Sequence, residues 1–101
     1  MLWATDQILR KIAPEGSRSE WRDQTATVEL CEVVLHKDWY GENANLVNEL
    51  TPANVAFITR LGEGLIPNEH TVIQDGDLVH VMVAPKDRAE TDAILAKSPE
   101  R

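Results

Sequence analysis

Residues 25–36 and residues 71–85 alternate apolar and polar positions with a period of two, the spacing of half-buried strands. In the first stretch Ala26, Val28 and Leu30 share one face, while Cys31, Val33 and Leu35 share the other. The apolar phase is therefore expected to flip near residues 31–32, either because both faces are covered or because a bulge re-aims the strand. In the second stretch Val79, Val81 and Val83 oppose Leu78, His80 and Met82, and Asp75-Gly76-Asp77 joins or bends two strands. Between them Asn54 to Arg60 predicts another strand. Leu61-Gly62-Glu63-Gly64 then offers a hairpin into Leu65-Ile66-Pro67, with the proline ending that strand or marking a sheet edge.

Helical spacing appears in three places. Thr5 caps a predicted helix whose stripe is Ile8, Leu9 and Ile12, closed by Pro14 and Gly16. Leu46, Val47 and Leu50 fall on one side of a second helix that Pro52 stops. Asp87 and Glu90 have capping-box spacing and are expected to open a third helix running to Lys97. The predicted class is α+β: a small mixed β-sheet, a short helix between its first two strands, and terminal helices. The expected organisation is a helix at residues 1–13 from the end of a preceding domain, a linker at 14–24, a domain at 25–85, and a C-terminal helix and tail at 86–101. A lone front helix about ten residues long is marginal in water, so the chain reads as a piece of a larger protein.

Composition narrows the function classes. The chain has 101 residues, 43% of them apolar and 27% charged, which suits one small globular domain. No apolar run reaches the roughly 20 residues needed to cross a bilayer, and Asp6 and Gln7 interrupt any signal-peptide core. The single Cys31 excludes a disulfide framework and a cysteine-based zinc site. Net charge is −7, and the segment from Glu29 to Asp77 holds all of it, with nine acids against Lys37 and Arg60. Such a surface repels phosphate backbones and anionic lipid headgroups, so nucleic acid and direct membrane insertion are not expected. A soluble intracellular protein is expected.

Candidate chemistry is sparse. His36, His70 and His80 show neither an H-x-x-x-H nor an H-E-x-x-H spacing, and a zinc centre needs three or four converging ligands. Asp75 and Asp77 with Gln74 offer oxygens to a hard cation, but the same residues suit a glycine turn whose aspartates bind nearby backbone amides. Ser17, Ser19 and Ser98 lie in the predicted linker and tail, where nothing preorganises a nucleophile. Cys31 reads as a core thiol. Trp39 and Tyr40, at the tip of a turn built on Asp38 and Gly41, serve either as a partner contact or as a cover for one end of the sheet. An enzyme is not expected.

Taken in order, several residues resemble one family. The first strand leads to a turn with Trp39 and Gly41 and a helix ending Asn48-Glu49-Leu50. A strand finishing Ile58-Thr59-Arg60, a hairpin into Leu65-Ile66-Pro67, and the run from Val72 to Val81 complete the pattern. Together these resemble the regulatory C-terminal (TrkA-C, or RCK-C) domain of potassium transport proteins. The front helix is similar to the last helix of the nucleotide-binding domain that precedes this module. The resemblance implies a cytoplasmic regulatory module at the inner face of the cell membrane, forming a homodimer or ring beneath a potassium channel or transporter. It implies effector binding without catalysis, with cyclic di-adenosine monophosphate or a divalent cation as effector. Positions matching the dinucleotide pocket are Asn54, Val55 and Pro67, although residues 50–53 (Leu-Thr-Pro-Ala) are shorter than in dinucleotide-binding members and lack their aspartate and arginine. For a cation no ligand set stands out from the resemblance, and the candidates remain Asp75 and Asp77 as read from the residues. Two alternatives stand beside this reading: a pure subunit-assembly domain without a ligand, and a small metal-dependent hydrolase built on His36, His70, His80 and the aspartates.

Overall fold

In the computed structural model, which describes residues 17–100, the alternating stretches form one five-stranded sheet. Its strands are β1 (Arg18–Arg22), β2 (Glu29–Val33), β3 (Asn54–Arg60), β4 (Glu63–Leu65) and β5 (Leu78–Val83), in the spatial order β1-β2-β5-β3-β4. Two helices, α1 (Asn45–Leu50) and α2 (Arg88–Leu95), and 3-10 turns at Lys37–Trp39 and Pro85–Asp87 complete the described residues. The α+β class holds. The pairing is antiparallel throughout instead of mixed. The reason is topological: β2, α1 and β3 make a crossover that would leave parallel neighbours, but β5 inserts between the two strands, antiparallel to both.

The most apolar strand takes the central place. Val79, Val81 and Val83 of β5 are buried with Cys31 and Val33 of β2 and Ile58 of β3 on one sheet face. Trp39, Ala44, Val47, Ala53, Ile73 and Leu95 belong to the same buried cluster and bring the helices and loops onto that face. Trp39 is fully buried and its indole Nε1 donates to the Lys97 carbonyl at 2.7 Å, so it covers the sheet; Tyr40 beside it stays exposed. α1 ends where Thr51 Oγ1 donates back to the Val47 carbonyl at 2.7 Å, with Pro52 following.

Three local expectations are corrected. No phase flip occurs in β2: Glu29, Cys31 and Val33 share the covered face, and the carboxylate is accommodated there by ion pairs. Residues 18–22 of the expected linker form β1, an edge strand exposed at all five positions and therefore without a burial pattern to read. Asp23 closes the β1–β2 turn by accepting from the backbone N–H groups of Thr27 and Val28, both at 2.9 Å. The Thr25 hydroxyl and the Val28 amide are the main causes that bring the Asp23 carboxyl down to about 2. α2 starts without a side-chain cap from Asp87 and ends at Leu95, not Lys97; the Pro85–Asp87 turn leads into it, and Thr91 Oγ1 donates to the Asp87 carbonyl at 2.9 Å.

Of the two strands expected at 71–85, the first reduces to a single bridge between Asn43 and Val72. The β3–β4 hairpin turns at Leu61 and Gly62 with φ of 52° and 81°, the two positive values that a type I′ turn requires. The predicted helix at residues 1–13 lies outside the described residues.

Candidate functional site

A groove beside α1 gathers three amide side chains. Asn45, Asn48, Val55, Pro67, Asn68 and Glu69 line a cavity of about 320 Å³. Its walls are fixed by local bonds. Asn48 Oδ1 accepts from the Val55 N–H at 2.8 Å and ties α1 to β3. Asn43 Nδ2 donates to the Glu69 carbonyl at 2.6 Å and ties the segment before α1 to the loop after Pro67. Asn68 Oδ1 accepts from the His70 N–H at 2.8 Å, an Asx turn that orders the loop. The structure therefore brings two of the expected ligand residues, Val55 and Pro67, into one groove. Asn54 is exposed at the start of β3, opposite Met82, and alternates away from Val55. Glu42, Glu49 and Glu69 border the adjoining hollow, so the neighbourhood is acidic.

Asp77 has a different task. Its side chain is 2% exposed, and its two oxygens accept from Arg60 Nε at 2.9 Å and Arg60 Nη2 at 2.7 Å. The same carboxylate accepts from the Gln74 N–H at 2.9 Å, and Gly76 between them has φ +92°. The Arg60 hydrogen bonds are the chief cause that holds the Asp77 carboxyl below the ordinary carboxylate range. Asp75 is exposed. Asp77 thus clamps the turn before β5 to the end of β3.

On the covered face Glu29 is fully buried. Arg88 Nη1 donates to one oxygen at 2.9 Å, Arg22 Nη2 to the other at 3.0 Å, and Cys31 Sγ lies 3.0 Å from the first. Burial pushes this carboxyl up, but Cys31, Arg22 and Arg88 outweigh it and hold it below the ordinary range. The Cys31 thiol is pushed up to about 12, first by burial and then by its bond to Glu29, which removes it as a nucleophile.

The opposite face carries the other charged constellation. His80, buried on β5, lies between β2 and β3, and Phe57 stacks on its ring with centroids 4.1 Å apart and 13° between planes. His80 Nε2 meets Thr59 Oγ1 at 3.0 Å, and Nδ1 meets Glu20 Oε1 at 2.6 Å. Ligating atoms of Glu20, Glu32 and His80 all lie within 4.8 Å of one another. Neither His36 nor His70 belongs to this group: His36 Nδ1 accepts from the Asp38 N–H at 3.0 Å, and the His70 side chain is 86% exposed. Sequence spacing missed the group because its members stand on three strands.

No family model matches the chain. The chain is 44% identical over 98 residues to the Trk system potassium uptake protein TrkA of Streptomyces coelicolor, an alignment that covers 97% of the chain. The chain is thus similar in sequence to part of that TrkA protein. It spans 44% of the length of that TrkA relative. Among solved structures, the GsuK RCK domain superposes with a TM-score of 0.68 at 15% identity, covering 84% of this chain and 19% of the other. The GsuK channel bound to NAD gives 0.62 at 15% identity, covering 87% of this chain and 16% of the other. At such identity the GsuK structures show the fold alone, and the similarity to TrkA rests on sequence. Among the described residues, no helix is long and apolar enough to cross a membrane.

Proposed function

We propose that this chain is the cytoplasmic regulatory domain of a potassium uptake system and acts by binding, not by chemistry. The observation that carries this reading is the 44% identity to TrkA along almost the whole chain, on an RCK fold. An effector changes transport only by favouring one arrangement of the subunits over another, so the domain works as a homodimer or larger ring against a membrane potassium channel or transporter. The groove of Val55 and Pro67 is the effector site. Its amides are partly engaged in holding the walls, and their remaining donor and acceptor sites are of the kind that meets a nucleobase edge. Cyclic di-adenosine monophosphate is the first effector to test; Glu42, Glu49 and Glu69 oppose its phosphates and lower its affinity.

The test uses the full-length protein that contains this domain, expressed with its membrane partner in cells lacking other potassium uptake. Asn45 is exposed at the start of α1, so Asn45→Glu places a charge in the groove without disturbing the core. Uptake is expected to persist in this variant while its response to the dinucleotide disappears. Potassium uptake that is indifferent to removal of the whole domain would contradict the regulatory reading. A domain that is required but indifferent to every nucleotide and divalent cation would be a pure assembly unit.

A further inference from the structure

We infer that Glu20, Glu32 and His80 form a binding site for one divalent first-row transition-metal ion, of the zinc type, on the sheet face away from the helices. This goes beyond the regulatory reading and does not depend on the groove. The three side chains come from β1, β2 and β5, and their ligating atoms converge within 4.8 Å. That convergence has a structural cause. The pairing of β1 with β2 slips between Ser19 and Trp21, leaving Glu20 as an extra residue. A bulge of this kind re-aims the side chain it carries, and here it directs the Glu20 carboxylate to the His80 ring two strands away.

The ring is set as a ligand. Phe57 stacks on it, Thr59 Oγ1 holds Nε2 at 3.0 Å, and Nδ1 meets Glu20 Oε1 at 2.6 Å, with a Glu32 oxygen in the same 4.8 Å group. Metal-bound imidazoles hydrogen-bond through the second nitrogen in this way, which fixes tautomer and orientation. One nitrogen and two carboxylate oxygens give three protein ligands with a fourth position open to water, a set that suits zinc and its neighbours. Calcium and magnesium prefer oxygen alone. Entry is possible because the Glu20 side chain is 32% exposed and the Glu32 side chain 22% exposed. One competitor is present: Arg18 Nη2 donates to Glu32 Oε1 at 3.2 Å, and its side chain, 43% exposed, is free to swing into solvent.

Arg18 supplies the most discriminating experiment. Zinc is titrated by calorimetry into the full chain near neutral pH, with calcium and magnesium as competitors. One zinc ion per chain is expected, undisturbed by either competitor. Arg18→Ala should bind zinc several-fold more tightly, since it frees Glu32 and removes a like charge. Glu32→Gln, at a partly exposed position that tolerates the change, should weaken binding about tenfold or more, and Thr59→Val about tenfold. His80→Gln should abolish binding, with circular dichroism confirming its fold. Absence of zinc uptake by the native chain would overturn the assignment, as would zinc binding left unchanged in Glu32→Gln and His80→Gln.

Discussion

The two faces of the sheet handle charge in opposite ways. On the covered face Glu29 is closed off from water and locked between Arg22, Arg88 and Cys31. On the open face Glu20 and Glu32 surround a single buried histidine and remain partly exposed, and among the described residues Glu32 has the exposed Arg18 as its cationic partner. Strand alternation creates this difference at a spacing of three residues within β2, where Glu29 faces the helices and Glu32 faces away. A carboxylate buried to 0% exposure and bonded by two arginines and a thiol holds a fold together. One with a displaceable partner is available to a ligand.

Removing covering groups should give the largest effects. Trp39→Ala deletes a fully buried indole and its bond to the Lys97 carbonyl, and should cost about 4 kcal/mol in urea unfolding. Arg88→Met leaves the Glu29 carboxylate with Arg22 as its one cationic partner among the described residues and should cost about 3 kcal/mol. Cys31 reports on the same face: its alkylation in native protein should be slow and should accelerate in step with unfolding.

Acid should also act through buried carboxylates. Asp77 and Glu29 are both held below the ordinary range, so their contribution is complete above the unfolded value of about 4 and is lost as pH falls through the lower folded values. The urea midpoint should therefore be level from neutral pH to about 5 and fall below about 4. Asp77→Asn should cost about 2 kcal/mol at neutral pH and make that acid decline shallower. The smallest effect belongs to the open face. Glu32→Gln loses one exposed ion pair and should change stability by less than about 0.5 kcal/mol. A loss as large as that of Arg88→Met would erase the distinction between the faces.

The residues make one face far more legible than the other. Val79, Val81 and Val83 announce the central strand because burial on one side forces alternation. Glu29 hides its own register: a glutamate at a core position makes sense only with Arg88, 59 residues onward, and Val28 and Leu30 beside it imitate the buried phase. β1 has no apolar alternation because nothing covers it. Val55 and Pro67, which the family resemblance names, line the groove beside α1, and Asn45, Asn48 and Asn68 join them there through loop geometry that no linear spacing records. Glu20 and His80, 60 residues apart, meet through a bulge in a strand that itself carries no signal.

The division between a structural face and a binding face is tested most directly by the imidazole nitrogen resonances of the three histidines during a zinc titration. One equivalent of zinc should move the Nδ1 resonance of His80 while His36 and His70 keep theirs, with the Cys31 environment unchanged. Zinc that moves His36 or His70 first and leaves His80 in place would contradict it.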